Sequence, residues 1–214
     1  MNAEKDKRNL YSCGLACVAK TTTLQRLAAI NSITNVECDF AELSAKNYEF
    51  FRKHSDASIQ ILYTIKQMMN SIENKNSIFD RSPISDLCYD LIHTEMKEPN
   101  KGLEKLEKLL TWDLFRSICN KYKTIYIIVD ENDTQAIEDI VRKMIQRKNG
   151  IDILNNMYVY NQIKIFKRLA ESIENFEILT KPKEIRIHTM AYYIWLENEL
   201  TRFIRENGYQ GVSH

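Results

Sequence analysis

Apolar residues follow two alternating patterns along this chain. Short, nearly continuous apolar runs are typical of strands buried on both faces, and the strongest is Thr-Ile-Tyr-Ile-Ile-Val-Asp at 124–130. Between such runs, apolar residues recur every three or four positions, as they do on one face of a helix. In the segment 58–72 this spacing links Ile59, Leu62, Ile65, Met68, Met69 and Ile72. We expect this stripe to pack in the core, and the off-stripe residues Gln60, Tyr63 and Gln67 to face a cleft.

The two patterns alternate from one end of the chain to the other. Strands are predicted at 9–13, 33–40, 76–80, 124–130 and 184–189, and helices at 21–30, 41–74, 83–96, 103–120, 137–146, 153–176 and 192–206. Helical segments between successive strands are typical of a parallel sheet covered by helices on both faces. We therefore predict an α/β fold, a three-layer α/β/α arrangement with a five-stranded parallel sheet, in a single domain over 1–214.

The balanced charge excludes several kinds of partner. Thirty Lys and Arg residues oppose 29 Asp and Glu residues, so no basic excess predicts binding to nucleic acid or to a membrane.

The five cysteines form no C-x-x-C pair and the four histidines show no ligand spacing, which disfavours zinc. Because no signal-peptide pattern is present either, we expect reduced thiols and a cytoplasmic, or else nuclear, location.

The stretch 14–22, Gly-Leu-Ala-Cys-Val-Ala-Lys-Thr-Thr, carries the first candidate chemistry. It matches the phosphate-loop pattern G-x-x-x-x-G-K-[ST], except that Ala19 stands at the second glycine. It lies between a predicted strand and a predicted helix, where backbone N–H groups and the helix N-terminus converge on an anion. We expect Gly14, Lys20, Thr21 and Thr22 to bind a phosphorylated cofactor, with Lys20 on the terminal phosphates and Thr21 as the Mg²⁺ ligand.

Charged residues follow later strands of the predicted sheet. Glu37 and Asp39 lie at the end of the second strand, and Asp80 and Arg81 follow the third. Ligands of open α/β sheets bind along this edge, so these side chains would meet the phosphate loop there. The alternatives are ordinary loop acids for Glu37 and Asp39, and a structural ion pair for Asp80 and Arg81.

A basic cluster closes the helix that follows the fourth strand. Arg142, Arg147 and Lys148 precede the dipeptide Asn-Gly, an arrangement typical of a phosphate lid, which we place at 142–152. The alternative is a solvated helix C-terminus, where the helix dipole favours cations in any case.

Four features resemble the deoxynucleoside kinase and thymidylate kinase group of P-loop kinases, over about residues 9–165. They are the loop at 14–22, a degenerate Walker A motif; the acid after the second strand; the stretch 80–86; and the strand ending in Val-Asp with the basic run after it. The stretch 80–86, Asp-Arg-Ser-Pro-Ile-Ser-Asp, is similar to the E-R-S-x-x-S-D of deoxynucleoside kinases, with Asp in place of Glu. Thymidylate kinases typically place an aromatic residue after Asp-Arg, where this chain has Ser82.

The resemblance implies ATP-dependent phosphoryl transfer to a deoxynucleoside or its monophosphate, with ATP and Mg²⁺ as cofactors. One acid would take or orient the proton of the acceptor hydroxyl, and the lid cations would close over the transferring group. The resemblance assigns catalysis to Lys20, Arg81 and one of the acids Asp39 and Glu37. It assigns cofactor binding to Gly14, Lys20, Thr21, Thr22, Arg142, Arg147 and Lys148, with Thr21 as the metal ligand. It assigns binding of the acceptor to Gln60, Asp80 and Arg81.

Two departures from the family pattern keep an alternative open. Ala19 adds a methyl group where the backbone approaches phosphates, and Cys17 holds another position often filled by glycine. A non-glycine residue in strained backbone costs on the order of 1 kcal/mol or more. The alternative is a catalytically weak or inactive kinase-fold protein that binds a nucleotide or, through the Tyr-rich helix 153–176, another protein.

The expected partner is a nucleoside or nucleotide, and a homodimer is left open. The Ile-, Asn- and Lys-rich composition and small size would suit a virus with an AT-rich genome.

Overall fold

A five-stranded parallel sheet organises the part of the chain that the structure describes. The structure, a computed structural model, describes residues 9–31, 33–37, 56–75, 77–147 and 152–208. The strands are β1 (Leu10–Gly14), β2 (Thr34–Glu37), β3 (Ser77–Asp80), β4 (Lys123–Ile128) and β5 (Phe176–Thr180). They lie in the order β2-β3-β1-β4-β5, and every neighbouring pair is parallel. The predicted α/β fold with a five-stranded parallel sheet is confirmed.

Helices cover both faces of this sheet. They are α1 (Lys20–Asn31), α2 (Asp56–Glu73), α3 (Ser85–Lys97), α4 (Lys101–Leu110), α5 (Asp113–Cys119), α6 (Thr134–Arg147), α7 (Asn156–Ser172) and α8 (Met190–Glu206). Right-handed crossovers place α1 on the face opposite α3 and α7, because the chain moves from β1 to β2 in one direction and from β3 to β4 in the other. In agreement, α1 packs against α8, and α3 packs against α7.

The middle of the sheet is buried on both sides, and its carboxyl edge collects polar residues. All five residues of β1 are buried, as is nearly all of β4. The register pairs Ser12 of β1 with Asp80 of β3, and Asp80 with Glu37 of β2. The ends of three neighbouring strands therefore meet at one edge, directly beside the turn that follows β1.

The fifth strand is not the one that the sequence predicts. The predicted strand 184–189 is wrong, because β5 is Phe176–Thr180 and the segment after it, up to α8, forms turns. Lys181 fixes this segment: its buried ammonium donates to the carbonyls of Pro182 and Ile185, both at 2.6 Å, and pairs with Asp133 at 2.8 Å. The alternating apolar residues of the predicted strand come from a loop that packs Ile187 into the core.

The expectation for the apolar stripe of α2 is also wrong. Five of its members, Leu62, Ile65, Met68, Met69 and Ile72, are 37–73% exposed, and the side chain of Ile59 lies outside the described residues. Tyr63 and Gln67, which fall off the stripe, are fully buried. Helical periodicity shows which residues share a face, but it does not show whether that face turns toward the chain's own core.

Candidate functional site

The turn after β1 has the backbone conformation of a loop built for glycine. Gly14, Cys17 and Ala19 all have positive φ, at 127°, 55° and 58°. At Gly14 the need is absolute, because a Cβ there would lie 2.2 Å from the carbonyl oxygen of Ile127 in β4. At Cys17 and Ala19 the left-handed conformation is held by residues that rarely adopt it, at a cost on the order of 1 kcal/mol each.

Side chains and backbone from other elements hold this loop in place. The amide of Leu15 donates to the Ile127 carbonyl at 3.0 Å, and the Ala16 amide donates to Gln162 Oε1 of α7 at 3.3 Å. The Tyr192 hydroxyl of α8 donates to the Val18 carbonyl at 2.9 Å. Contacts from both helical layers therefore support the strained conformation.

Lys20 and Thr21 begin α1 directly after the strained residues. The buried ammonium of Lys20 donates to the Leu15 carbonyl at 2.7 Å, which keeps it inside the curve of the loop. Burial lowers the pKa of Lys20, and the nearby Asp80 carboxylate acts in the opposite direction. The Thr21 hydroxyl, one residue on, donates to Asp80 Oδ2. The end of β3 is thus joined to the start of α1.

Arg81 follows Asp80 in a strained conformation that directs the chain away from the sheet. Its φ is 95°, and its amide donates to the Ser12 carbonyl of β1 at 2.9 Å. Its guanidinium lies over the ring of Tyr89, 5.1 Å from the centroid, in a cation–π arrangement. Strain of this kind is concentrated at functional sites.

Behind Arg81, the carboxyl of Asp86 lies buried on α3. The Thr64 hydroxyl of α2 donates to it at 3.2 Å. Burial raises the pKa of Asp86 to about 7, although the Thr64 hydrogen bond and the charge of Arg81 act in the opposite direction. A buried acid and a buried tyrosine, Tyr63, therefore lie close enough to the Arg81 guanidinium to interact with its charge.

One cavity of about 590 Å³ brings the loop, Asp80 and Arg81 together with residues of later elements. The loop and α1 contribute residues 16–22, the end of β3 contributes Asp80 and Arg81, and α6 and the segment around α8 complete the wall. The volume is within the usual range for small-ligand sites. Cations from three elements line it, so it has the charge that an anionic ligand requires.

The structure places the predicted site residues as follows. Lys20, Thr21, Thr22, Asp80, Arg81 and Arg147 line the cavity, and Gly14 forms the turn beneath it. Arg142 is not among the lining residues, and its guanidinium pairs with Asp139 at 3.1 Å. Glu37 ends β2 at the same sheet edge and Gln60 lies in α2, but their side chains lie outside the described part of the chain, as do Asp39 and Lys148 entirely.

Four lining residues were missed by the sequence prediction. Lys143 lies one turn before Arg147, so helical spacing would have selected it in place of Arg142, and Gln146 directly precedes Arg147 in α6. His188 belongs to the segment after β5 that was predicted as a strand, and Tyr193 lies near the start of α8. His188 has a φ of 62°, and burial, assisted by the charge of Lys143, lowers its pKa. It therefore meets the cavity as a neutral imidazole at neutral pH.

Cys17 lies at the cavity wall, and Cys13 lies beneath the loop. Burial raises the pKa of both thiols, despite nearby Lys20 and, for Cys17, Arg147. Neither thiol has the thiolate character that redox reactivity requires.

Two negative findings apply to the described residues. None of their helices is long and apolar enough to cross a membrane. They contain no cluster of three or more His, Cys, Asp or Glu side chains arranged to hold a metal ion.

Comparison with solved structures identifies the fold as that of P-loop kinases. The chain is similar to deoxyadenosine kinase from M. mycoides with bound dATP, with a TM-score of 0.57 and 13% identity over 90% of this chain and 99% of that one. It is also similar to shikimate kinases from Bacteroides thetaiotaomicron and from Acinetobacter baumannii, the latter in complex with shikimate. For the Bacteroides protein the TM-score is 0.54, with 10% identity over 92% of this chain and 98% of that one. For the Acinetobacter protein the TM-score is 0.53, with 13% identity over 96% of this chain and 97% of that one.

Sequence comparison gives one viral relative. The chain is 26% identical over 167 residues, 74% of its length, to an uncharacterized 33.9 kDa protein in the PE 3′ region of Lymantria dispar multicapsid nuclear polyhedrosis virus. It covers 52% of that protein's length. No family model matches the chain.

Proposed function

We propose that this chain is an ATP-dependent kinase that transfers a phosphoryl group to a hydroxyl of a deoxynucleoside or deoxynucleoside monophosphate. The observation that carries the proposal is the cavity in which the loop 16–22, Asp80 with Arg81, and the α6 cations meet. Phosphoryl transfer needs little covalent chemistry from a protein, and it depends on positioning and on offsetting negative charge. A phosphate-loop turn beside converging cations meets both needs.

The chain's own residues divide these tasks by position. Lys20 lies inside the loop, where its ammonium would exchange the Leu15 carbonyl for phosphate oxygens. Arg147 and Lys143, one turn apart on α6, would bind the phosphates from the opposite wall. The guanidinium of Arg81, on the acceptor side, would offset the charge that develops during transfer.

The residues at the loop also fit Mg²⁺. Asp80 Oδ1 is buried and has no hydrogen-bond partner among the described residues, while Oδ2 accepts from Thr21. Mg²⁺ is usually held by one or two protein oxygens together with phosphate oxygens and waters. Thr21 and Asp80 would hold the ion, which supplies charge neutralisation on the phosphates when it is bound.

Two residues remain candidates for orienting the acceptor hydroxyl. Glu37 ends β2 in register with Asp80, so the backbone of Glu37 lies at the same carboxyl edge of the sheet as Asp80. Asp39 follows two residues later in the sequence. Gln60, on α2 before the buried Tyr63, would contact the base. These roles come from the family resemblance and from position along the elements.

A second candidate function is nucleotide binding without efficient turnover. It is favoured by the left-handed conformations of Cys17 and Ala19, which place side chains where a phosphate loop normally has none. It is also favoured by the Ala16 amide, which donates to Gln162 and is thereby drawn away from a ligand in the loop. A kinase scaffold retained for binding would show both features.

Calorimetry followed by turnover assays tests both candidates. ATP–Mg²⁺ is titrated into the parent chain and into the variants Lys20→Ala and Arg26→Ala. Arg26→Ala is the matched control, because Arg26 is an exposed cation on the same helix and pairs with Glu197 outside the cavity. Each is then assayed with a panel of deoxynucleosides and monophosphates. A kinase binds ATP and turns over one acceptor, and Lys20→Ala abolishes turnover while Arg26→Ala does not.

Two outcomes contradict the leading proposal. ATP binding without turnover of any acceptor supports the second candidate, and absence of ATP binding by the parent overturns both.

A further inference from the structure

The segment that carries His188 is tied to α6 by an ion pair. Asp139 of α6 is buried, and Arg186 donates to both oxygens of its carboxylate, from Nε at 2.9 Å and from Nη2 at 3.2 Å. Pairing at two points fixes the direction of a guanidinium as well as its distance. The pair therefore holds the segment 186–189 against the helix that brings Lys143 to the cavity.

Asp139 is the fixed end of this pair. Its carboxylate also pairs with Arg142 at 3.1 Å and accepts from Gln135 at 3.3 Å. Only 8% of the Asp139 side chain is exposed, whereas the side chain of Arg186 is 60% exposed. A buried carboxylate with several charge-assisted bonds keeps its geometry better than a pair of exposed side chains does. Arg186 is thus the group whose position Asp139 determines.

The segment 186–189 carries that position to His188. The Thr189 hydroxyl donates to the Arg186 carbonyl at 2.7 Å, and Thr189 also caps the start of α8. Between these two residues His188 has a φ of 62°, and Ile187 packs into the core. Strained backbone persists where the surrounding contacts enforce it. Arg186, Ile187 and Thr189 supply those contacts on both sides of His188.

His188 meets the ligand cavity with one bonding position unused. It lines the cavity together with Tyr193 and Lys143. Its Nε2 is buried and has no hydrogen-bond partner among the described residues. Because an unpaired buried nitrogen is costly, a ligand group that bonds to it gains affinity. A hydrogen bond weakens steeply when its geometry is poor, so this gain depends on where the segment 186–189 lies.

We propose that Arg186 is a positioning residue for nucleotide binding: its pair with Asp139 sets the segment 186–189 so that His188 contacts the bound nucleotide. Among the described residues Arg186 does not line the cavity, so it acts through His188. This role rests on the proposed function, because ATP–Mg²⁺ is the ligand used to test it. The alternative is that the buried residues Lys181 and Ile187 hold the segment without help from Arg186.

A double-substitution cycle in ATP–Mg²⁺ titrations separates the two. We expect His188→Ala and Arg186→Ala each to raise the dissociation constant by about three- to tenfold, the usual effect of losing one hydrogen bond. Arg186→Ala/His188→Ala should bind within about twofold of Arg186→Ala alone, because a histidine that is already displaced contributes nothing more. A merely structural role for Arg186 would leave the full effect of His188→Ala in both backgrounds.

The matched control is Arg202→Ala. Arg202 is a half-exposed arginine of α8 that pairs with Glu199 and Glu206 on its own helix, at 2.9 Å and 3.0 Å. Arg202→Ala should bind ATP like the parent, and His188→Ala should keep its full effect in that background. Asp139→Asn removes the other half of the pair and should behave in the cycle as Arg186→Ala does. Far-UV circular dichroism confirms that each variant is folded.

Two outcomes separate the role of Arg186 from the proposed function. If the parent binds ATP and Arg186→Ala binds it equally tightly, or if the two substitutions are additive, Arg186 has no positioning role and the proposed function stands. If the parent does not bind ATP, the proposed function is overturned together with the role of Arg186.

Discussion

Ala19 holds a left-handed backbone conformation that glycine adopts without cost. We expect Ala19→Gly to raise the free energy of unfolding by about 1 kcal/mol, because relief of the strain at φ 58° outweighs the greater freedom that glycine gives the unfolded chain. Urea denaturation measures the change. Ala29→Gly, at an exposed position of α1, is the matched control and should lose about 0.5–1 kcal/mol, as glycine normally does in a helix. If both substitutions destabilise equally, the strain at Ala19 is not real.

Asp86 should give the protein a pH dependence of stability with an unusual sign. Its pKa is raised by burial to about 7, whereas an unfolded aspartate has a pKa of about 3.9. Between these values the folded chain holds a proton that the unfolded chain has released. The free energy of unfolding should therefore fall as pH rises from about 4 to about 7, by at most about 4 kcal/mol.

Asp86→Asn tests this directly, because the amide keeps the shape and cannot ionise. Denaturation at pH 5 and at pH 8 should show a smaller decline in the variant, and a more stable variant than parent at pH 8. Asp90→Asn, one turn further along α3, controls for the loss of one negative charge. An unchanged decline in Asp86→Asn would assign the pH dependence to other groups.

At the scale of elements, the sequence predicts the type of most segments well and their orientation poorly. The strand leading into the phosphate loop, β4 and the helix carrying Arg147 lie close to their predicted positions, because strong apolar runs and helical spacing are local signals. The strand after α7 was missed because Phe176-Glu177-Ile178-Leu179-Thr180 continues a helical spacing, and only pairing with β4 decides for a strand. The outward face of α2 was missed for a similar reason, since burial is a property of the whole fold.

The candidate site shows the same limit. The loop and the Asp80-Arg81 pair were found because each has a sequence pattern at the end of a strand. Lys143 lies within the predicted lid, but only its helix face distinguishes it from Arg142, and His188 has no sequence pattern of its own. Both reach the cavity because α6 and the segment after β5 pass over the same edge.

The segment after β5 depends on one buried lysine. Removing its ammonium with Lys181→Met leaves the Asp133 carboxylate and two backbone carbonyls without their donor in a buried place. We expect a loss of about 3–5 kcal/mol of stability in chemical denaturation, the usual cost of breaking a buried ion pair on one side. Lys183→Met is the matched control: Lys183 also pairs with an aspartate, Asp130, but it is 59% exposed, and its loss should cost less than about 1 kcal/mol. Similar losses in the two variants would contradict the role of Lys181.

At the scale of the whole molecule, both helical layers share one core. Buried residues from α1 and α8 on one face, and from α3 and α7 on the other, pack against the same central strands without a break in the cluster. A core of this kind unfolds as a unit, whereas separate domains would each have their own transition. We therefore expect a single cooperative transition, even though the chain exceeds the size at which intermediates become common.

The two tryptophans allow this expectation to be measured from opposite faces. Trp112 precedes α5 in the layer of α3 and α7, and Trp195 lies in α8, partly buried against the core. In Trp195→Phe fluorescence reports only from Trp112, and in Trp112→Phe only from Trp195. For each variant, the urea midpoint from fluorescence should agree with the midpoint from far-UV circular dichroism. The denaturant slopes from the two methods should also agree, because the slope reflects the surface exposed in the transition. A midpoint that differs between the two faces would mean that the layers unfold separately, and the single-domain assignment would then be wrong.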